Sequence, residues 1–149
     1  METEEDLATL RLQRRLAHPP QDVWEALTNE AQVRQWMPTP YTTIDGHVDG
    51  HIEIAGPMPV TGRILAWDPP RLFEHEFRLA PCKAAPAGED AVMRYEIEPN
   101  EDGCVLTTTL TRMTPASVRL FSGGMPKGLD RLAAHLDARH GASATSGRA

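Results

Sequence analysis

The chain has 149 residues, of which 40% are hydrophobic and 24% are charged. This length and composition fit one globular domain that can bury its own core, and they exclude a disordered or fibrous chain. The net charge is -6, and the 15 Lys and Arg residues are scattered along the chain, with Arg14-Arg15 as the one adjacent pair. Nucleic acid is therefore not expected as a partner, because no basic stripe could neutralise successive phosphates.

The expected compartment and the state of the cysteines follow from simple features. No run approaches the roughly 20 apolar residues that a membrane helix needs, and the start of the chain is acidic where a signal peptide would be basic. We therefore expect a cytoplasmic protein without a membrane partner. Cys82 and Cys104 lie far apart, without metal-ligand spacing, and are expected to be free thiols. Neither a metal nor a cofactor is predicted.

The first predicted elements are one strand and two short helices. In residues 10–16 leucines alternate with polar residues, which is the period of a half-buried strand. His18-Pro19-Pro20 ends this strand, because proline donates no hydrogen bond to a ladder, and the prolines suit the first turn of a helix. Apolar residues within 23–27 and 33–37 predict the two helices.

Residues 41–110 have the pattern of an antiparallel sheet. Glycines and prolines divide this region into short strands, in which apolar residues alternate with polar ones. Asn100-Glu101-Asp102-Gly103 is a hairpin signal between the last two strands. Together with the first strand, the pattern predicts about seven strands.

One polar stretch within this region can be interpreted either as a metal site or as a solvated sheet face. Its alternating polar residues are Asp45, His47, Asp49, His51 and Glu53. In a single strand they would share one face, and two imidazoles with carboxylates could hold a divalent ion. A solvated sheet face is the favoured interpretation. Either glycine within the stretch, Gly46 or Gly50, could instead turn the chain and separate the side chains.

The last predicted element is a long C-terminal helix. Thr114 is a good N-cap and Pro115 suits the first helical position. Apolar residues then recur every three or four positions, at Val118, Phe121, Met125, Leu129, Leu132 and Leu136. This stripe must pack against the sheet. Pro126, directly after Met125, predicts a kink or a restart of the helix there.

The chain is expected to form a single domain with two tails. Residues 1–6 are predicted to be an acidic N-terminal tail, and residues 7–139 the folded domain. Residues 140–149 are small and polar and are expected to be disordered.

Five segments, in this order, carry a resemblance to a known family. They are His18-Pro19-Pro20-Gln21-Asp22-Val23-Trp24-Glu25-Ala26-Leu27-Thr28, Trp36-Met37-Pro38, Asp68-Pro69-Pro70-Arg71-Leu72, Tyr95-Glu96-Ile97-Glu98-Pro99 with Asp102-Gly103, and Leu129-Asp130-Arg131-Leu132. The chain resembles the START-like helix-grip (SRPBCC) superfamily, in the branch related to the activator of the heat-shock-protein-90 ATPase. It departs from that family at Gly124-Met125, where members often carry Gly-Trp.

The resemblance implies both a fold and a cavity. The expected fold is α+β: a curved antiparallel sheet of about seven strands, with two short helices after strand 1 and a long C-terminal helix. Between sheet and helix, the family implies a cavity for hydrophobic molecules, in members that range from lipid carriers to polyketide cyclases. It does not imply chaperone activation, because a shared fold says little about the partner surface.

Alternation selects the residues expected to line the inner surface. His75 alternates with Phe73 and Phe77, so it could orient a ligand hydroxyl or carbonyl, although a buried histidine satisfied by its neighbours is the commoner outcome. Tyr95 and Thr108 supply two further polar points. The predicted ligand-binding residues are Trp36, Ile54, Phe73, His75, Phe77, Met93, Tyr95, Leu106, Thr108, Leu110, Phe121, Met125 and Leu129.

These patterns favour a binding protein over an enzyme. No Gly-x-Ser-x-Gly, reactive-cysteine signature or phosphate-cradling loop is present. The first hypothesis is therefore the binding of a small hydrophobic or aromatic molecule. A cyclase or aromatase using His75 as its catalytic residue is one alternative, and a protein-interaction module is another. A protein partner is not indicated, and a monomer and a homodimer both remain open.

Overall fold

The computed structural model describes residues 8–37, 39 and 41–148, without the side chains of 140–148. The predicted acidic tail, residues 1–6, lies outside the described residues. The side chains of the predicted C-terminal tail lie outside them as well. The disorder of that tail and the domain limits therefore stay predictions.

In the described part of the chain, seven strands form one antiparallel sheet in the order β1-β7-β6-β5-β4-β3-β2. The strands are β1 (Ala8–Leu16), β2 (Thr42–Ile44), β3 (His51–Ile54), β4 (Val60–Asp68), β5 (Leu72–Leu79), β6 (Glu89–Asn100) and β7 (Gly103–Met113). Asn100 pairs with Gly103 across a two-residue turn, so the predicted hairpin is confirmed. This curved sheet, with its helices, confirms the predicted α+β helix-grip fold.

Three central strands place their inward side chains next to one another. Phe73 of β5 lies opposite Tyr95 of β6, and Tyr95 lies opposite Thr108 of β7. Directly opposite side chains in an antiparallel pair approach within about 5 Å at their Cβ atoms. Since burial alternates along β5, His75 and Phe77 share the buried face with Phe73. This face is the floor of the site described below.

Two short helices follow β1, as predicted: α1 (Pro20–Thr28) and α2 (Glu30–Trp36). α1 buries one side, which includes Trp24, against the sheet. The side chain of Asn29 accepts a hydrogen bond from the backbone N–H of Gln32 and so caps the start of α2. α2 ends at Trp36, whose indole is buried.

The C-terminal helix α3 (Pro115–Arg148) starts where the sequence predicts. Its Thr114 cap accepts a hydrogen bond from the backbone N–H of Ser117 at 3.3 Å. Of the two predicted alternatives near Met125, the restart is wrong, because α3 continues through Pro126, and the kink stays a prediction. Proline removes one backbone donor, and the buried residues Leu132 and Leu136 hold the helix against the rest of the fold beyond that point. α3 contacts β1, α1 and α2.

The polar stretch at residues 45–53 does not form a single strand. β3 begins only at His51, and Asp49 has a φ of 71°, which belongs to a turn. The backbone N–H of His47 bonds to the carbonyl of Asp45, and this bond also bends the chain. The common face required for the metal-site alternative is therefore absent from this stretch.

None of the helices in the described part of the chain is both long and apolar enough to cross a membrane. Of the two cysteines, Cys104 is buried and Cys82 is half-buried, and both are free.

Candidate ligand-binding cavity

A cavity of about 370 Å³ lies between the concave face of the sheet and the first half of α3. Most of the predicted set lines it. These residues are Trp36, Ile54, His75, Phe77, Met93, Tyr95, Thr108, Phe121, Met125 and Leu129. Their placement brings the predicted polar and apolar groups to one cavity, while ligand binding by them stays a prediction.

Phe73 does not line the cavity, contrary to expectation. Its ring packs instead between Trp24 of α1, with ring centroids 6.1 Å apart, and Trp67 of β4, at 5.4 Å. The three rings contact one another edge to face, an arrangement that aromatic pairs favour. The docked helix α1 therefore fills this end of the concave face, which strand alternation alone does not reveal.

Leu106 and Leu110 also lie outside the cavity lining. Both are on the same face of β7 as Thr108, as predicted, but their side chains are completely buried in the core. The neighbouring strand β1 carries α3 across it, so packing closes this part of the sheet. Both leucines therefore point inward as predicted, but they are covered by other parts of the core and do not face the cavity.

Sequence reasoning missed a second group of lining residues. They are Leu27, Met37, Ala55, Gly56, Pro57, Met58, Val60, Leu120, Gly124, Gly128 and Arg131. Four of them form the loop between β3 and β4, and no periodicity marks a loop as part of a wall. Gly124, Gly128 and Arg131 are spaced by four and three residues and so lie on one face of α3. A search for apolar residues at helical spacing does not find them, because two are glycines and the third is charged.

Small residues on α3 help to keep the cavity open. A Cβ placed at Gly124 would meet no described atom within 4 Å outside its own stretch of helix. At Gly128 it would meet only the guanidinium of Arg131, at 3.8 Å. The helix thus passes over the floor without filling the space beneath it.

Two hydrogen bonds fix the wall formed by Trp36. Its indole Nε1 donates to the carbonyl of Ala26 at 2.8 Å, which sets the orientation of the ring. Nε of Arg131 donates to the carbonyl of Trp36 at 3.0 Å and so ties α3 to the end of α2. Arg131 is exposed, and its guanidinium is the charged group at the rim.

His75 is a deeply buried polar group of the floor, with 2% of its surface exposed. Its Nδ1 lies 2.7 Å from the carbonyl oxygen of Glu76. Because a carbonyl can only accept, Nδ1 carries the hydrogen, and Nε2 of the neutral ring is left as an acceptor. Burial lowers the pKa of His75 from 6.5 to about 4, so the ring is neutral at neutral pH.

Tyr95 and Thr108 continue this polar row across the sheet. Burial raises the pKa of Tyr95 to about 12, which keeps the phenol neutral. Its hydroxyl makes no hydrogen bond to any residue that the structure describes. Oγ1 of Thr108 is fully buried and likewise has no partner among those residues. The floor therefore presents an acceptor and two hydroxyl groups within apolar walls.

The fold and this cavity define the class of protein: an α+β helix-grip domain of the START-like type. A family model described as "Activator of Hsp90 ATPase homolog 1-like protein" matches residues 17–137. This match covers most of the chain, and the protein belongs to that family. Among curated proteins, none matches this chain.

Solved structures share the fold. Protein MLL2253 from Mesorhizobium loti is 22% identical with a TM-score of 0.77, over 88% of this chain and 98% of that chain. A protein from Rhodobacter sphaeroides is 23% identical with a TM-score of 0.73, over 90% of this chain and 92% of that chain. DynU16, described as a protein in the dynemicin biosynthetic locus, is 16% identical with a TM-score of 0.73, over 87% of this chain and 47% of that chain. At these identities the likeness shows the fold alone.

Proposed function

We propose that this protein binds a small hydrophobic or aromatic molecule in the cavity between the sheet and α3. The observation that carries the proposal is an apolar cavity of about 370 Å³ with unpartnered polar groups on its floor. Ligand pockets typically combine apolar walls with a few polar groups that fix orientation.

The ligand is proposed to enter between the β3–β4 loop and the first half of α3. Phe121 and Met125 are only half-buried there, whereas Leu132 further along α3 is fully buried. Glycines at 123 and 124 and Pro126 weaken the helix in the same segment. Local opening is easiest where few apolar contacts hold an element, so this segment is the expected way in.

Simple binding is favoured over cyclase chemistry by the protonation states of the floor. General acid–base catalysis works best when the catalytic pKa lies near the working pH. Burial moves the pKa of His75 down to about 4 and that of Tyr95 up to about 12. These groups are thus suited to hydrogen bonding. An activity screen tests the cyclase or aromatase alternative.

The exposed surface also favours an internal site over a protein-interaction module. In the described part of the chain, the exposed large hydrophobic side chains are Tyr41, Val48 and Leu65. The hydroxyl of Tyr41 is bonded to Glu53 at 3.0 Å. Scattered apolar residues of this kind are normal on a monomer, whereas interaction sites present contiguous apolar area.

Thermal shift against a panel of apolar and aromatic compounds tests the proposal. A ligand present at 100 times its dissociation constant stabilises the folded state by about 2.7 kcal/mol, which raises the melting temperature by several degrees. Met125→Trp places a large ring in the cavity and should abolish the shift while the protein still folds. His75→Ala should weaken the shift.

His51→Ala is the matched control, because His51 is an exposed histidine on β3 outside the cavity. This variant should respond to ligands like the original protein. Absence of a response to every compound, or an undiminished response in Met125→Trp, would contradict binding in this cavity. Turnover that is lost in His75→Ala would favour the cyclase alternative.

A further inference from the structure

We infer that the ligand is a hydroxyaryl compound whose hydroxyl donates a hydrogen bond to Nε2 of His75, an inference that rests on the proposed function. It specifies the chemical class that the cavity selects. Three features carry it: the tautomer of His75, the neighbouring hydroxyl groups and the surrounding rings.

The tautomer of His75 requires a donor on the ligand. Its Nδ1–H is committed to the carbonyl of Glu76 at 2.7 Å, and Nε2 makes no hydrogen bond to the described residues. A carbonyl or carboxylate oxygen placed against Nε2 would be repelled, because both atoms carry lone pairs and neither has a hydrogen to donate. A hydroxyl or N–H group would instead satisfy it.

The neighbouring side chains favour a hydroxyl over an amine. Tyr95 lies opposite Thr108 in the register of β6 and β7, and the ring of Tyr95 is 6.4 Å from that of His75. Both hydroxyls lack partners in the described chain and can each donate. A ligand hydroxyl can give its hydrogen to Nε2 and accept one from Tyr95 or Thr108. An aromatic amine is a poor acceptor and would satisfy only the first bond.

The walls beside His75 favour an aromatic ring as the carrier of that hydroxyl. Phe77 lies 6.4 Å from His75 and contacts Phe121 edge to face at 5.6 Å. These distances fall within the range over which aromatic rings attract one another. A planar ring beside Phe77 would add such contacts, and a flexible alkyl chain would not.

A matched pair of probes tests the inference: 2-naphthol, which can donate, and 2-methoxynaphthalene, which cannot. Isothermal titration at pH 7 should show 2-naphthol binding about tenfold more tightly, the ratio expected for one added buried hydrogen bond. In His75→Phe the ratio should fall to about one, because phenylalanine offers no acceptor to the hydroxyl of 2-naphthol. His51→Ala should keep the tenfold ratio.

A second measurement needs no variant and protects the test against a misfolded His75→Phe. In the intact protein, the ¹⁵N resonance of the unprotonated Nε2 of His75 should move upfield with 2-naphthol and stay in place with 2-methoxynaphthalene. Equal binding of both probes would overturn this inference and leave the proposed function standing. If His75→Phe still prefers 2-naphthol to 2-methoxynaphthalene, His75 is not the acceptor of the ligand hydroxyl. Failure of both probes to bind would count against the inference and the proposed function together.

Discussion

The two ends of the concave sheet face differ in how they are covered, although one strand supplies both. Phe73 and Phe77 lie four residues apart on the same face of β5. Phe73 is enclosed by Trp24 and Trp67, whereas Phe77 lines the cavity and touches Phe121. We call these the packed end and the open end.

The difference between the ends arises from the helices above them. α1 presents a large indole to the packed end, where the ring of Trp24 packs against those of Phe73 and Trp67. Over the open end α3 presents Gly124 and Gly128, which leave space. The comparison teaches that alternation decides which side chains point inward, and that the covering helix decides whether they meet a core or a cavity.

Truncation of one phenylalanine at each end should give the largest effect. Phe73→Ala should lower the free energy of unfolding by about 4 kcal/mol, because it removes a ring from a filled core. Phe77→Ala should cost about half as much, since its ring already borders open space. Urea denaturation of both variants measures the difference, and equal losses would mean that the two ends are packed alike.

Acidification should weaken the open end through His75. Its folded-state pKa, about 4, lies below the unfolded value of 6.5, so between these pH values the unfolded state binds more protons. The stability due to the neutral ring is therefore complete above pH 6.5 and is lost as the pH falls towards 4. The loss is on the order of 3 kcal/mol.

The measurement is the free energy of unfolding at several pH values in the original protein and in His75→Phe. The pKa values of Glu76 and Glu89 are lowered, so protonation of these carboxylates also reduces the free energy of unfolding on acidification. This reduction is the same in both proteins. The difference between the two curves isolates His75. Parallel curves over this pH range would show that the ring is not held neutral by burial.

The two unpartnered threonine hydroxyls offer a smaller and more specific comparison. Oγ1 of Thr42 and Oγ1 of Thr108 are both buried without partners in the described chain, but only Thr108 lines the cavity. Thr42→Val and Thr108→Val should each raise the free energy of unfolding by about 1 kcal/mol, because valine has no hydroxyl to bury. Only Thr108→Val should also weaken the binding of 2-naphthol. If both variants change the affinity for 2-naphthol equally, Thr108 does not contact the ligand.

The glycines of α3 give the smallest expected effect. Alanine in a helix interior is more favourable than glycine by about 0.5–1 kcal/mol, and neither Gly123 nor Gly124 has a neighbour to obstruct a methyl group in the described structure. Gly123→Ala and Gly124→Ala should therefore stabilise the protein similarly. Only Gly124 lines the cavity, so Gly124→Ala alone should reduce ligand affinity in a titration. Unchanged affinity in Gly124→Ala would place the ligand away from α3.

Local patterns were sufficient for the elements of the fold. The alternating leucines of β1, the Asn100–Gly103 turn and the Thr114-Pro115 start of α3 each lie where the sequence predicts them. The inward orientation of His75, Tyr95 and Thr108 also followed from alternation. These predictions succeed because strand and helix periods are properties of the backbone and need no knowledge of distant residues.

The rest depended on which distant parts of the chain meet. The enclosure of Phe73 required Trp24 of α1 to pack against its ring, and the place of Arg131 at the rim required its bond to Trp36, 95 positions away in the sequence. The β3–β4 loop joined the cavity without any periodic signal.

The sequence by itself thus determined the order of elements, the inward orientation of His75, Tyr95 and Thr108, and the family. Tertiary structure alone decided which part of that face stays open, which nitrogen of His75 remains an acceptor and which hydroxyls lack partners. The physical reason is that periodicity is local, whereas cavities and hydrogen-bond partners arise from contacts between residues far apart in the chain.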